Sequence, residues 1–206
     1  MTIGDPAPDA DLSRTARDPG RIAPGSNRAM IGLAMLIISV LFGLSGLLDF
    51  AEVKQGAYIS RAERVTVTAS LNGFGQVSVH VPGISPRDQQ RFVEGEQEAH
   101  LKAAKPASPG IPGFIFAVLM AAAAHAYRKT RHSKGPAIGI LVVSSICFLG
   151  GADHIFNPEA LFNNPSGWSG GDYSPSIGLI LYTLTAGALV GLSITALVLE
   201  TRANHR

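Results

Sequence analysis

The chain has 206 residues, 46% of them hydrophobic and 16% charged, with a formal net charge of +2. One cysteine, Cys147, excludes an intramolecular disulfide, and no CxxC or other ligand spacing offers a haem or zinc site, so no cofactor is expected. The small positive excess comes from arginines and lysines placed to meet anionic lipid headgroups; no nucleic-acid partner is expected.

Charge is distributed unevenly. It avoids four windows: Ala29 to Leu48, Ile111 to Tyr127 (where His125 and Tyr127 are the titratable groups), Pro136 to Ala152, and Ser176 to Leu199. A bilayer core of about 30 Å takes roughly 20 apolar residues per helix, with about 17 as the lower limit. The expected fold class is an all-α membrane protein. It is a four-transmembrane-helix bundle with a small extracytoplasmic cap, a β-hairpin plus a helix, between helices 1 and 2.

In chain order, residues 1–28 are rich in Pro, Gly, Asp and Arg and poor in large apolar side chains, and read as a disordered cytoplasmic segment. The first span is expected over 29–50. No A-x-A pattern follows it, so it reads as a retained anchor and not as a cleaved signal peptide. The extracytoplasmic segment 51–110 contains the period-two run RVTVTASLNGFGQVSVHV. Val65, Val67, Ala69 and Leu71 precede a Gly-rich turn and Val77, Val79 and Val81 follow it, which predicts a hairpin over 64–81. A polar helix over 86–104 is expected to start at Ser85, with Pro86 in its first turn. An isolated hairpin is only marginally stable, so its valines need cover from the helix, the membrane surface or a partner.

The second span is expected over 111–127. It leads into the cytoplasmic loop 128–135, RKTRHSKG, whose Arg128, Lys129, Arg131 and Lys134 are the expected headgroup contacts. The third span covers 136–156, the extracytoplasmic loop 157–175 has no Lys or Arg, and the fourth span covers 176–199. A cytoplasmic tail, 200–206, adds Arg202 and Arg206. Every short connection fits both termini lying in the cytoplasm of a multi-pass plasma-membrane protein. The first outer segment carries seven basic residues, but segments of about 60 residues cross largely regardless of charge.

Within the spans, Thr183, Gly187, Gly191 and Thr195 recur every four residues and form the expected helix-packing face. Ser39, Gly43 and Gly46 make a lesser version in the first span, and Ser144, Cys147 and Gly151 in the third. The greasy run ICFLGGADHIF ends on Asp153 and His154, at the outer end of its span, where the cost of polar groups is low. With Asp49 at the matching end of the first span, they are the weak metal-site candidates; Glu52, Glu159, Asp172, His80 and His100 could extend an acidic mouth that binds a cation or relays protons. The spacing forms no i, i+4 ligand pair, and plain solvation at the interface is the alternative. His125 reads as an interfacial histidine.

Four spans with a β-containing first outer loop are similar in arrangement to the claudins. The tryptophan and paired cysteines that mark that family's loop are absent, and the single Trp168 lies in the second outer loop, so no family is assigned. There is no nucleotide-binding glycine loop, serine nucleophile elbow or HExxH. The expectation is a non-enzymatic accessory, assembly or interaction subunit working through helix packing and its outer cap. Its partners would be the lipid bilayer and a membrane protein or further copies of itself. The alternative is a small oligomeric transporter, channel or holin-like pore.

Overall fold

A computed structural model of the protein describes residues 24–58, 64–83, 85, 87, 107–129, 134–162 and 171–204. Four helices dominate: α1 (Pro24–Ser45), α2 (Gly110–Lys129), α3 (Lys134–Phe156) and α4 (Ile177–Asn204). Each contains a stretch long and apolar enough to cross a membrane, of 19, 20, 23 and 26 residues respectively. α1 packs on α2 and α4, and α3 packs on the same two, so the helices form a closed ring. Met35, Phe42, Met120, Ile140, Leu179 and Leu189 are buried inside it. Leu41, Val118, Leu149 and Leu184 project from the outside of the ring, where a soluble bundle would carry polar side chains.

The helix ends correct several sequence expectations. α1 stops at Ser45, short of residue 50, because Gly46, Leu47 and Leu48 tighten into i to i+3 hydrogen bonds back to Gly43, Leu44 and Ser45. The uncharged window outlasts the helix since Leu47 and Leu48 continue it as an exposed apolar turn. At its other end α1 begins at Pro24, so residues 24–28 are helical and not part of a disordered head. Arg128 and Lys129 belong to α2, and Lys134 starts α3. Glu200 through Asn204 extend α4, whose 28 residues span about 42 Å, longer than a bilayer core.

The larger correction concerns fold class. The expected hairpin is present as β2 (Arg64–Asn72) and β3 (Val77–His80), but it is half of a four-stranded antiparallel sheet. β1 (Asp49–Tyr58) pairs with β2 along its length, and β4 (Asp172–Pro175), from the connection between α3 and α4, pairs with the other edge of β1. The order is β3-β2-β1-β4. The chain is therefore helical with a small sheet, not all-α with a lone hairpin. The expected helix over 86–104 lies outside the described residues apart from Arg87.

Asn72 builds the hairpin turn. Its Oδ1 accepts the backbone N–H groups of Phe74 at 3.1 Å and Gln76 at 2.9 Å, while Gly75 takes φ 81°, which glycine adopts without a Cβ penalty. Ala51, Val53, Val67, Ala69 and Leu71 alternate with more exposed neighbours and are fully buried. Part of their cover comes from Leu161 and Phe162, at the end of a short 3-10 turn, Pro158–Leu161. Ala107 donates its N–H to the Leu161 carbonyl at 2.9 Å, and Phe162 meets Tyr173 of β4 edge to face at 5.5 Å.

Four glycines fasten the sheet to the bundle. Gly73, in the hairpin turn, sits with its Cα against Gly46 at the end of α1 and against Gly110 at the start of α2, whose N–H donates to the Gly73 carbonyl at 2.6 Å. A Cβ on Gly73 would fall 2.7 Å from the Gly46 carbonyl oxygen, and one on Gly110 would fall 2.6 Å from that of Gly73. Gly178 plays the same part at the start of α4, in backbone contact with Leu48 and Asp49. At these points the sheet stands on the helix ends through main-chain contacts, with Phe50 packed on Tyr182 beside them.

Candidate functional site: an apolar groove at the sheet end of the bundle

Directly beneath the sheet the helices leave a groove of about 130 Å³. Its floor is Phe50 of β1, Cys147 of α3, and Leu179 and Tyr182 of α4; Pro112, Ile146 and Gly150 stand at its mouth, and His154 is on its rim. Glycine shapes it. Gly113 of α2 lets the Tyr182 ring approach to 3.0 Å from where a Cβ would be, and Gly151 of α3 receives Thr183 and the other side of the same ring. Tyr182 also packs on Phe42 at 4.4 Å and Phe50 at 5.5 Å, and its hydroxyl shares a hydrogen bond with the Cys147 thiol. The mouth residues are exposed on the outer surface of the ring, between α2 and α3.

His154 gives the groove its one unusual polar group. Its Nδ1 is enclosed and has no hydrogen-bond partner among the described residues, whereas buried polar atoms almost always have one. Asp153 points elsewhere: it is exposed and its Oδ1 accepts the Asn157 side-chain amide at 3.2 Å. Asp49 is half-buried at the start of β1. Among the described residues no three His, Cys, Asp or Glu side chains converge as metal ligands, so Asp49, Asp153 and His154 do not assemble the expected cluster. His80 is exposed on β3, and His100 lies outside the described residues. Cys147 and His154 share the groove but stand about 10 Å apart along the helix axis, too far for a nucleophile and its base.

The expected packing face of α4 divides in two. Thr183 is buried against Gly151, with its hydroxyl donating to the Leu179 carbonyl at 2.9 Å, and a Cβ on Gly187 would lie 3.2 Å from the Phe148 ring. Gly191 has open space beside it, and Thr195 is exposed, donating to the Gly191 carbonyl at 2.9 Å. The helix geometry explains the split: each step of four residues overshoots one turn by about 40°, so a long four-residue repeat winds off the α3 contact.

The opposite end of the bundle is basic. Arg28, Arg128, Lys129, Lys134 and Arg202 gather there with Glu200 as the lone carboxylate among the described residues. Arg128 lays its side chain over Gly32 of α1; Lys129 and Lys134 are exposed, and Arg131 lies outside the described residues. Sequence reasoning missed a tie at this end. Arg28 donates from Nε to the Tyr127 carbonyl at 2.9 Å, holds its guanidinium 5.2 Å from the Tyr127 ring centroid, and approaches Glu200 at 3.9 Å. One side chain thereby joins α1, α2 and α4. The available signal was a single acidic residue on an otherwise basic rim. His125 is exposed on the outer face of α2.

Comparison with protein-family models and with curated proteins finds no match for this chain.

Proposed function

We propose that the protein is a non-enzymatic membrane subunit that acts in assembly or interaction. It lies in the plasma membrane with both termini in the cytoplasm and holds its four-stranded sheet rigidly on the extracytoplasmic side for a membrane-protein partner. The observation that carries this reading is the glycine docking of Gly73 on Gly46 and Gly110, which ties the sheet to the helix ends through backbone. Rigid presentation keeps the ordering cost of binding low. The interior supports the same reading. Ser39, Ser45, Ser144, Thr183 and Thr185 spend their hydroxyls on carbonyls of their own helices, and Ser193 is the one buried hydroxyl among the described residues without a partner, so the interior hydroxyls do not line a continuous polar path through the ring.

The test is purification of the full chain in a mild detergent, with identification of what co-migrates. A stoichiometric partner that is lost on Ser78→Arg or His80→Glu, both on the exposed face of β3, supports the reading. A homo-oligomer that conducts ions in liposomes would replace it with the pore alternative, for which the outward-facing Gly191 and Thr195 offer a contact between copies.

A further inference from the structure

The outward side of α2 ends in three polar residues. His125, Arg128 and Lys129 are all exposed, and spacings of three and four residues put them on one face of the helix. Val118 and Ala122 continue that face as exposed apolar positions. Among the described residues none of the three has a side-chain hydrogen bond or ion pair, and Glu200, the lone carboxylate at this end, is approached by Arg28. Arg128 is also held in place. Its stem crosses to α1 over Gly32, where a Cβ would overlap Cγ and lie 3.1 Å from Cδ. A glycine thus makes the cradle that sets a guanidinium at the seam of α1 and α2. An ordered stem lowers the cost of binding, and the planar fork of arginine matches a phosphate.

With the four helices in a bilayer, this seam faces lipid at the headgroup layer, a placement that does not depend on the subunit reading above. His125 stands about 4.5 Å deeper than Arg128, so it reaches the ester carbonyls when the cations are level with the phosphates. A free anion would leave a polar side chain at that depth unmatched, which is costly in lipid. We propose that this end of α2, with Gly32 of α1, binds one anionic glycerophospholipid, its phosphate held by Arg128 and Lys129 and its ester region lying over His125. The first methylenes then run over Ala122, which adds no bulk to the face.

The test uses the full chain in a maltoside detergent, offered equal amounts of phosphatidylglycerol and phosphatidylcholine of matched acyl chains, with bound lipid counted by native mass spectrometry. Each cation near a headgroup contributes roughly fivefold. Wild type should therefore retain one phosphatidylglycerol per chain over phosphatidylcholine by at least that factor, and Arg128→Gln should lower the preference roughly fivefold. Arg202→Gln removes the same charge from exposed α4, across the ring from α2, and should leave the preference unchanged. Gly32→Ala keeps every charge but displaces the Arg128 stem, and should lower the preference while the chain stays folded. His125→Leu should lower retention of both lipids, since both carry the esters, and millimolar inorganic phosphate should leave the bound lipid in place. Equal losses in Arg128→Gln and Arg202→Gln would reduce the site to a diffuse basic rim and overturn the proposal. So would a preference untouched by Gly32→Ala, retention untouched by His125→Leu, or displacement of the lipid by inorganic phosphate. The Arg128 and Arg202 arms change exposed side chains, so their comparison stays decisive if Gly32→Ala folds poorly.

Discussion

At Gly110, one added methyl group is enough to test how the sheet is held. Its Cβ would enter the space occupied by the Gly73 backbone, which has no rotamer to yield. Gly110→Ala and Gly73→Ala should therefore each cost about 1 to 3 kcal/mol, read as a lower midpoint in thermal or denaturant unfolding. Gly83→Ala makes a useful contrast. It has open space around it but φ 84°, so any loss there comes from backbone conformation and not from crowding. The α4 glycines separate in the same way. Gly187→Leu should destabilise the chain, since Phe148 is already at contact distance, whereas Gly191→Leu should leave monomer stability unchanged. If Gly191→Leu instead lowers the unfolding midpoint of a purified oligomer, that face is in use between copies.

The elements differ in how plainly their residues announced them. The four spans were legible because desolvating a charge is costly, so a long uncharged window is hard to place anywhere but in lipid or a core. β2 and β3 were legible from alternating valines around Asn72 and Gly75. β1 was not: DFAEVKQGAY buries Phe50, Ala51 and Val53 but carries Glu52, Lys54, Gln55 and Gly56 through its middle, residues that strands generally disfavour or use at edges. β4 has four residues and ends in proline, and its strand character exists only through pairing with β1 far back in the chain. The groove was invisible for a related reason, since it forms where Gly113 and Gly151 admit the Tyr182 ring and no spacing within one helix encodes that. The junction of β4 with the 3-10 turn is open to titration. Burial, and then the nearby Glu159 carboxylate, hold the Tyr173 phenol above its usual 10.0. Because the folded state raises this pKa, its contribution to stability is full below pH 10 and is lost as pH rises through the folded value. Glu159→Gln should move the Tyr173 midpoint down, with burial keeping it above the usual value. A phenolate absorbance titration against Tyr173→Phe measures it.

For the molecule as a whole, the basic end and the sheet end define a direction. A cytoplasm-dependent reporter should be active after Arg206 or near Arg131 and silent near Gln76 or Gly170, if the basic end faces the cytoplasm as the positive-inside rule requires. Arg28 closes the ring at that end, so Arg28→Ala should release α1 from both neighbours. The loss should be ~1 kcal/mol, or roughly 2 to 4 °C in Tm for a chain of this size, and smaller for Arg28→Lys, which keeps the charge but not the planar fork over Tyr127.

β4 also fixes an order of events during biosynthesis. β1, β2 and β3 emerge before α2, but the strand that covers the free edge of β1 emerges only after α3 has been made. Until then the nascent chain displays a row of unpaired main-chain donors and acceptors to whatever lies outside the membrane. The sheet becomes whole only when the third span has carried residues 172–175 to the side where β1 waits, so its completion reports that both helical hairpins have been threaded in the same sense. A chain with its second hairpin inverted would leave Ala51 to Lys54 of β1 without the strand that pairs with them in the folded protein.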